Sequence, residues 1–194
     1  MDKISGLPAH PLLVHIPVVL VPLAAIGALA MAFWPWLRAR IGWIVAGLAV
    51  LGGLGAILAA SAGEALQEGE RESSAIRHHA ELGEGARNFS ILFAILVVVF
   101  VAGEWWLNRR AAAGTATASA DGSEQAAPAT TGGWKKWALP VLAVLTIGSG
   151  AWATYSVIDA GHTGAKSAWQ EDGKSGPDGA DSVPADQRRD GDDD

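Results

Sequence analysis

Residues 11–36 read PLLVHIPVVLVPLAAIGALAMAFWPW, a run without a single acid, lysine or arginine. The ~30 Å hydrocarbon core of a bilayer is crossed by roughly 20 apolar helical residues, so this run predicts a transmembrane helix. Three further blocks reach the same length, at 41–62, about 89–107 and about 137–158. Together they predict an all-α integral membrane four-helix bundle. The nine Trp, against one Tyr, gather mostly at the edges of these blocks, where an indole meets both lipid and water. The first run exceeds the roughly 7–15 apolar residues of a signal peptide, and Pro17 and Pro22 interrupt it, so it is read as a retained span.

The composition agrees. Half of the 194 residues are hydrophobic, but in blocks rather than at a soluble domain's periodicity, and only 18% are charged. The absence of Cys excludes disulfides, thiolate metal sites, iron–sulfur clusters and c-type haem. The net charge of −6 arises mainly from one loop and the C-terminal tail and gives no support to a nucleic-acid partner. The second block carries Gly47, Gly52, Gly53 and Gly55, and its pairs Ala49/Gly53, Gly52/Ala56 and Ala56/Ala60 have the small-xxx-small spacing of close helix contacts. It is expected to be the central, buried helix.

Basic residues give the expected orientation. Arg38 and Arg40 follow the first span; Arg109, Arg110, Lys135 and Lys136 lie between the third and fourth. By the positive-inside rule both links are cytoplasmic, placing both termini and the Glu-rich 63–88 loop outside a bacterial inner membrane. Ala111–Gly133 has the composition of a flexible, disordered cytoplasmic link, and residues 163–194 that of a disordered acidic tail. The third helix is expected to begin near residue 74, capped by Ser73 or Ser74 and projecting beyond the membrane.

This topology brings all five histidines to the outer end. His10, ahead of Pro11, suits a helix cap at the membrane surface. His15 lies ~7 Å deeper by helical rise, within the apolar run, where a polar ring is expected to face protein. His79 shares a face with Gly83, Ala86, Ser90 and Ala94, whereas His78 points about 100° away. In the fourth span Trp152, Tyr155, Asp159 and His162 fall on one face, and Asp159 is placed to hold the His162 ring. Gly161 and Gly164 suggest that this helix ends beside His162. Glu64 and Glu68 extend the second span toward the same region, while Glu104, beside Trp105 and Trp106, is expected to snorkel to the cytoplasmic surface.

Three motifs in this order, His10-Pro-Leu-Leu-Val-His15-Ile-Pro, His79-Ala-Glu-Leu-Gly-Glu84 and Gly161-His162-Thr-Gly164, resemble the bacterial membrane-protein family known as domain of unknown function 2231. The likeness covers about 8 to 173, with 111–133 as an insert. It implies a four-helix membrane domain with His10, His15, His79 and His162 at the outer helix ends and Glu64 after the second span. It implies no activity. Departures are the additional His78 and Trp169 in place of a tyrosine.

The leading expectation is a b-type haem or a transition-metal ion bound through His15, His79 and His162, since bundle cores recurrently host such sites. Haem would serve electron transfer with a redox partner or quinone; zinc or copper would add Asp159 or Glu64. His10, His78 and Tyr155 are secondary candidates. A second expectation has no cofactor: a structural or pH-sensing cluster of histidines and carboxylates. A transporter or permease subunit is third, disfavoured because the spans lack a charged pathway at mid-depth. No nucleophile–base pair or phosphate-binding loop points to an enzyme.

Overall fold

The computed structural model describes residues 3–4, 7–8, 12–67, 74–120 and 134–174, with side chains over 12–64, 77–113 and 137–165. A two-residue antiparallel ladder, Lys3–Ile4 with Leu7–Pro8, precedes four helices. These are α1 (His15–Phe33), α2 (Pro35–Gln67), α3 (Ser74–Ala120) and α4 (Trp134–Lys174). Each contains a segment long and apolar enough to cross a membrane: His15–Phe33, Pro35–Glu64, Arg77–Ala113 and Trp137–Ala165. Large apolar side chains also cover the outside of the bundle, with Ile26 66% and Val144 68% exposed. An aqueous surface of that kind would aggregate; a lipid-facing one is stable.

The helices form a ring in which chain neighbours pack together and α4 closes against α1, while the α1–α3 diagonal barely touches. Val21, Met31, Ala49, Phe93, Val97 and Ala153 meet in the core. The expectation of a central α2 matches its burial: 44% of its most apolar window is inside, against 22–33% for the others. Its glycines explain how. A Cβ on Gly52 would stand 2.9 Å from a Val21 methyl, and one on Gly55 would overlap Ile16, both in α1. A Cβ on Gly53 would lie 3.5 Å from the Ser90 carbonyl of α3. The missing side chains let α2 approach both neighbours closely. In α4, Gly150 does the same for Phe93, which a Cβ would approach to 2.8 Å.

Between α1 and α2 a single residue, Trp34, is non-helical, at φ −120° and ψ 95°. Pro35 disfavours helical geometry at the residue before it and suits the first turn of the next helix. The Trp34 N–H donates to the Ala30 carbonyl, and the Trp34 carbonyl accepts from Leu37 and Arg38, so the turn is fully bonded in one residue. Arg38 and Arg40, read from sequence as link residues, are therefore in the first turns of α2. Two other boundaries differ. α3 continues through Ala120 into the stretch read as a link, where Ala111–Ala113 favour helix. α4 continues past Gly161 and Gly164 to Lys174. The rest of the expected link and tail, 121–133 and 175–194, lies outside the described residues, as does His10.

Candidate functional site at the histidine-bearing end

Successive helices run antiparallel, so the starts of α1 and α3 and the ends of α2 and α4 share one end of the bundle. Contacts across the helices fix the levels: Gly55 meets Ile16, Gly161 stands near Val18, and Gly164 meets His79. His15, His78, His79 and His162 all lie at this end. The opposite end carries Arg38, Glu104, Arg109 and Arg110.

Of these four histidines only His79 turns into the bundle. His79 is half-buried and His15, His78 and His162 are exposed. The His79 Nδ1 lies 3.3 Å from the Thr163 hydroxyl of α4. That hydroxyl is also 3.1 Å from the Asp159 carbonyl and 3.0 Å from the Ala160 carbonyl of its own helix. Its single proton serves these carbonyls, so toward His79 the oxygen offers lone pairs. A ring protonated at Nδ1 donates to this oxygen. Gly164, one residue on, makes room for the ring: a Cβ there would stand 2.8 Å from His79 Cε1 and 3.3 Å from Nε2. The glycine read as a helix stop is instead a cradle inside a continuing helix.

The remaining candidates are arranged differently from the sequence reading. His15 is in the first turn of α1 and exposed, not facing protein as expected from its depth in the apolar run. Tyr155 and Trp152 do share a face, but it points outward; Trp152 packs edge-on to Phe89 at 5.8 Å, and Ala153 and Val157 face the core. Among the described residues no hydrogen bond or ion pair joins the Asp159 carboxylate to His162; what Asp159 supplies is its backbone carbonyl, to Thr163. The Glu64 carboxylate pairs instead with Arg87 Nη1 of α3 at 3.4 Å. Among the described residues no three His, Asp or Glu side chains come together as a metal-holding group.

The second and third motifs thus meet through His79 and the Thr163–Gly164 pair, and the described part of the first lies at the same end of the bundle. A model described as "Predicted membrane protein (DUF2231)" matches residues 6–174. The chain belongs to this family. The match takes in all four membrane-spanning segments of this DUF2231 protein and both residues of the His79–Thr163 contact. No curated protein and no solved structure matches it.

Two features of this DUF2231 protein escaped the sequence reading. Thr163 stood within the third motif but between more conspicuous neighbours, and only its level opposite His79 gives it a role. Glu104 does not snorkel: its carboxylate pairs with Arg38 across the α2–α3 seam. An acid near the end of one span and an arginine near the start of an adjacent antiparallel span were the available signal.

Proposed function

We propose that this DUF2231 protein is a cofactor-free membrane protein whose histidine-bearing end, facing outward from a bacterial inner membrane with both termini, has a structural role carried by His79. The observation carrying this reading is the His79–Thr163 hydrogen bond, seated against Gly164. It ties α3 to α4 where the bundle leaves the lipid, and polar contacts between membrane helices are worth on the order of 1 kcal/mol. Nδ1 donates both in the neutral tautomer and in the imidazolium, so acid does not break the bond. The clasp is thus a fixed structural element.

A second reading retains a b-type haem, or a zinc or copper ion, held by His15, His79 and His162 with Asp159 or Glu64, the haem form serving a redox partner or quinone. One observation favours it: donation from Nδ1 makes Nε2 the basic nitrogen of the neutral ring, the state in which oriented histidines bind metals. The exposure of His15 and His162, with no three His, Asp or Glu side chains together among the described residues, favours the first reading. Visible spectra and metal analysis of the detergent-purified protein separate the two. A colourless protein without stoichiometric metal, destabilised by His79→Ala equally with and without chelator, is expected. A Soret band, or stoichiometric zinc or copper lost in His79→Ala, would establish the second reading instead.

A further inference from the structure

Two cavities lie along the seam between α2 and α3, away from the histidines. The first, of about 310 Å³, opens at the basic end and is lined by Arg38, Glu104, Asn108 and Arg109 with Trp43 and Trp105. Arg38 is paired with Glu104, so the second guanidinium, Arg109, leaves the cavity with a net positive charge. Arg109 is exposed and its guanidinium stands 4.5 Å over the Trp105 ring, which holds it at the rim. The second cavity, of about 300 Å³, is lined only by apolar residues, among them Val50, Leu54, Ile95 and Val99.

Trp43 and Val50 are two turns apart on one face of α2, so the cavities are separated by about 10 Å along the helix. Gly47 sits between them on that face, and a Cβ there would meet nothing within 4 Å. The seam therefore runs open from a cationic, amide-bearing mouth at the span's edge to an apolar groove at its middle. That sequence of surfaces suits an anionic headgroup followed by an acyl chain.

We infer that the α2–α3 seam binds an anionic phospholipid, its phosphate held by Arg109 and Asn108 and one acyl chain lying along Val50, Leu54 and Ile95. Basic pockets between membrane helices are suited to such headgroups, and each basic residue is worth roughly a fivefold change in affinity. The apolar groove supplies the chain's share of the binding, which an inorganic anion cannot use.

Native mass spectrometry of the full chain in detergent, with added phosphatidylglycerol, phosphatidylcholine or inorganic phosphate, tests this. One phosphatidylglycerol should be retained in preference to phosphatidylcholine, and inorganic phosphate at equal concentration should neither bind nor displace it. Arg109→Gln, at an exposed position, should weaken retention about fivefold. Val50→Trp, which fills the groove without touching a charge, should weaken both lipids. Equal retention of the two lipids, displacement by inorganic phosphate, or full retention in either variant would overturn the proposal.

Discussion

Arg38 and Glu104 form an ion pair across the seam between α2 and α3, with side chains only 13% and 16% exposed. The one-residue turn at Trp34 makes this possible, by bringing Arg38 a turn into α2 and level with the last apolar turns of α3. The guanidinium also lies 5.0 Å over the Phe100 ring, so the charge is surrounded by protein rather than lipid. A largely buried pair is weak evidence of stabilisation in itself, but removing one partner leaves the other charge stranded.

Glu104→Gln should therefore cost up to about 3 kcal/mol of stability, and Arg38→Gln a similar amount. The double variant should lose much less than the sum. Thermal unfolding in detergent, arranged as a double-mutant cycle, measures the coupling; strictly additive losses would mean that the pair contributes nothing.

Glycines at close approaches should be distinguishable from those facing open space. Gly150→Ala pushes a methyl against Phe93 and should destabilise by about 1–3 kcal/mol. Gly47→Ala meets no neighbour and should be neutral or stabilising by up to about 1 kcal/mol, through helix propensity alone. The unfolding midpoints of the two variants should move in opposite directions or differ clearly in size.

The Ser90 hydroxyl is buried between helices with no hydrogen-bond partner among the described residues. Since an unsatisfied buried hydroxyl costs free energy, Ser90→Ala should leave stability unchanged or raise it by about 1 kcal/mol. A loss above that size would show that the hydroxyl is bonded in the membrane-embedded protein.

Much of this architecture was legible in the amino-acid order, and what was not has a physical cause. Length and hydropathy reveal the spans, and the glycines at 52, 53 and 55 reveal which helix is central, because each needs a neighbour's backbone or side chain close by. Rotation about the helix axes is harder to read. In lipid the outer face of a helix is as apolar as the inner one, so polarity does not separate Ala153, which is buried, from Trp152, which is not. Hence Tyr155 was expected at the site and lies outside it, whereas His79, on a face of small residues, was phased by Ala86, Ser90 and Ala94. Levels between antiparallel helices decide the pairs Arg38–Glu104 and His79–Thr163, and these depend on a turn at Trp34 and on α4 continuing past Gly161 and Gly164.

The His79–Thr163 bond should persist in acid. Thr163→Val removes the acceptor and should lower stability on the order of 1 kcal/mol at about pH 7.5 and by no less at about pH 5.5, because both the Nδ1-protonated neutral ring and the imidazolium donate from Nδ1 and the charged donor bonds more strongly. Comparing unfolding midpoints of the two proteins at both pH values checks this. A penalty that vanishes at one pH would show that the ring changes role.

Side-chain ¹⁵N NMR of the detergent-purified protein, with His79 assigned by its loss in His79→Gln, reads directly whether His79 donates from Nδ1 to Thr163. A protonated Nδ1 in the neutral ring, shifted in Thr163→Val, is the expected result. A neutral ring protonated at Nε2 instead, unchanged by Thr163→Val, would contradict it.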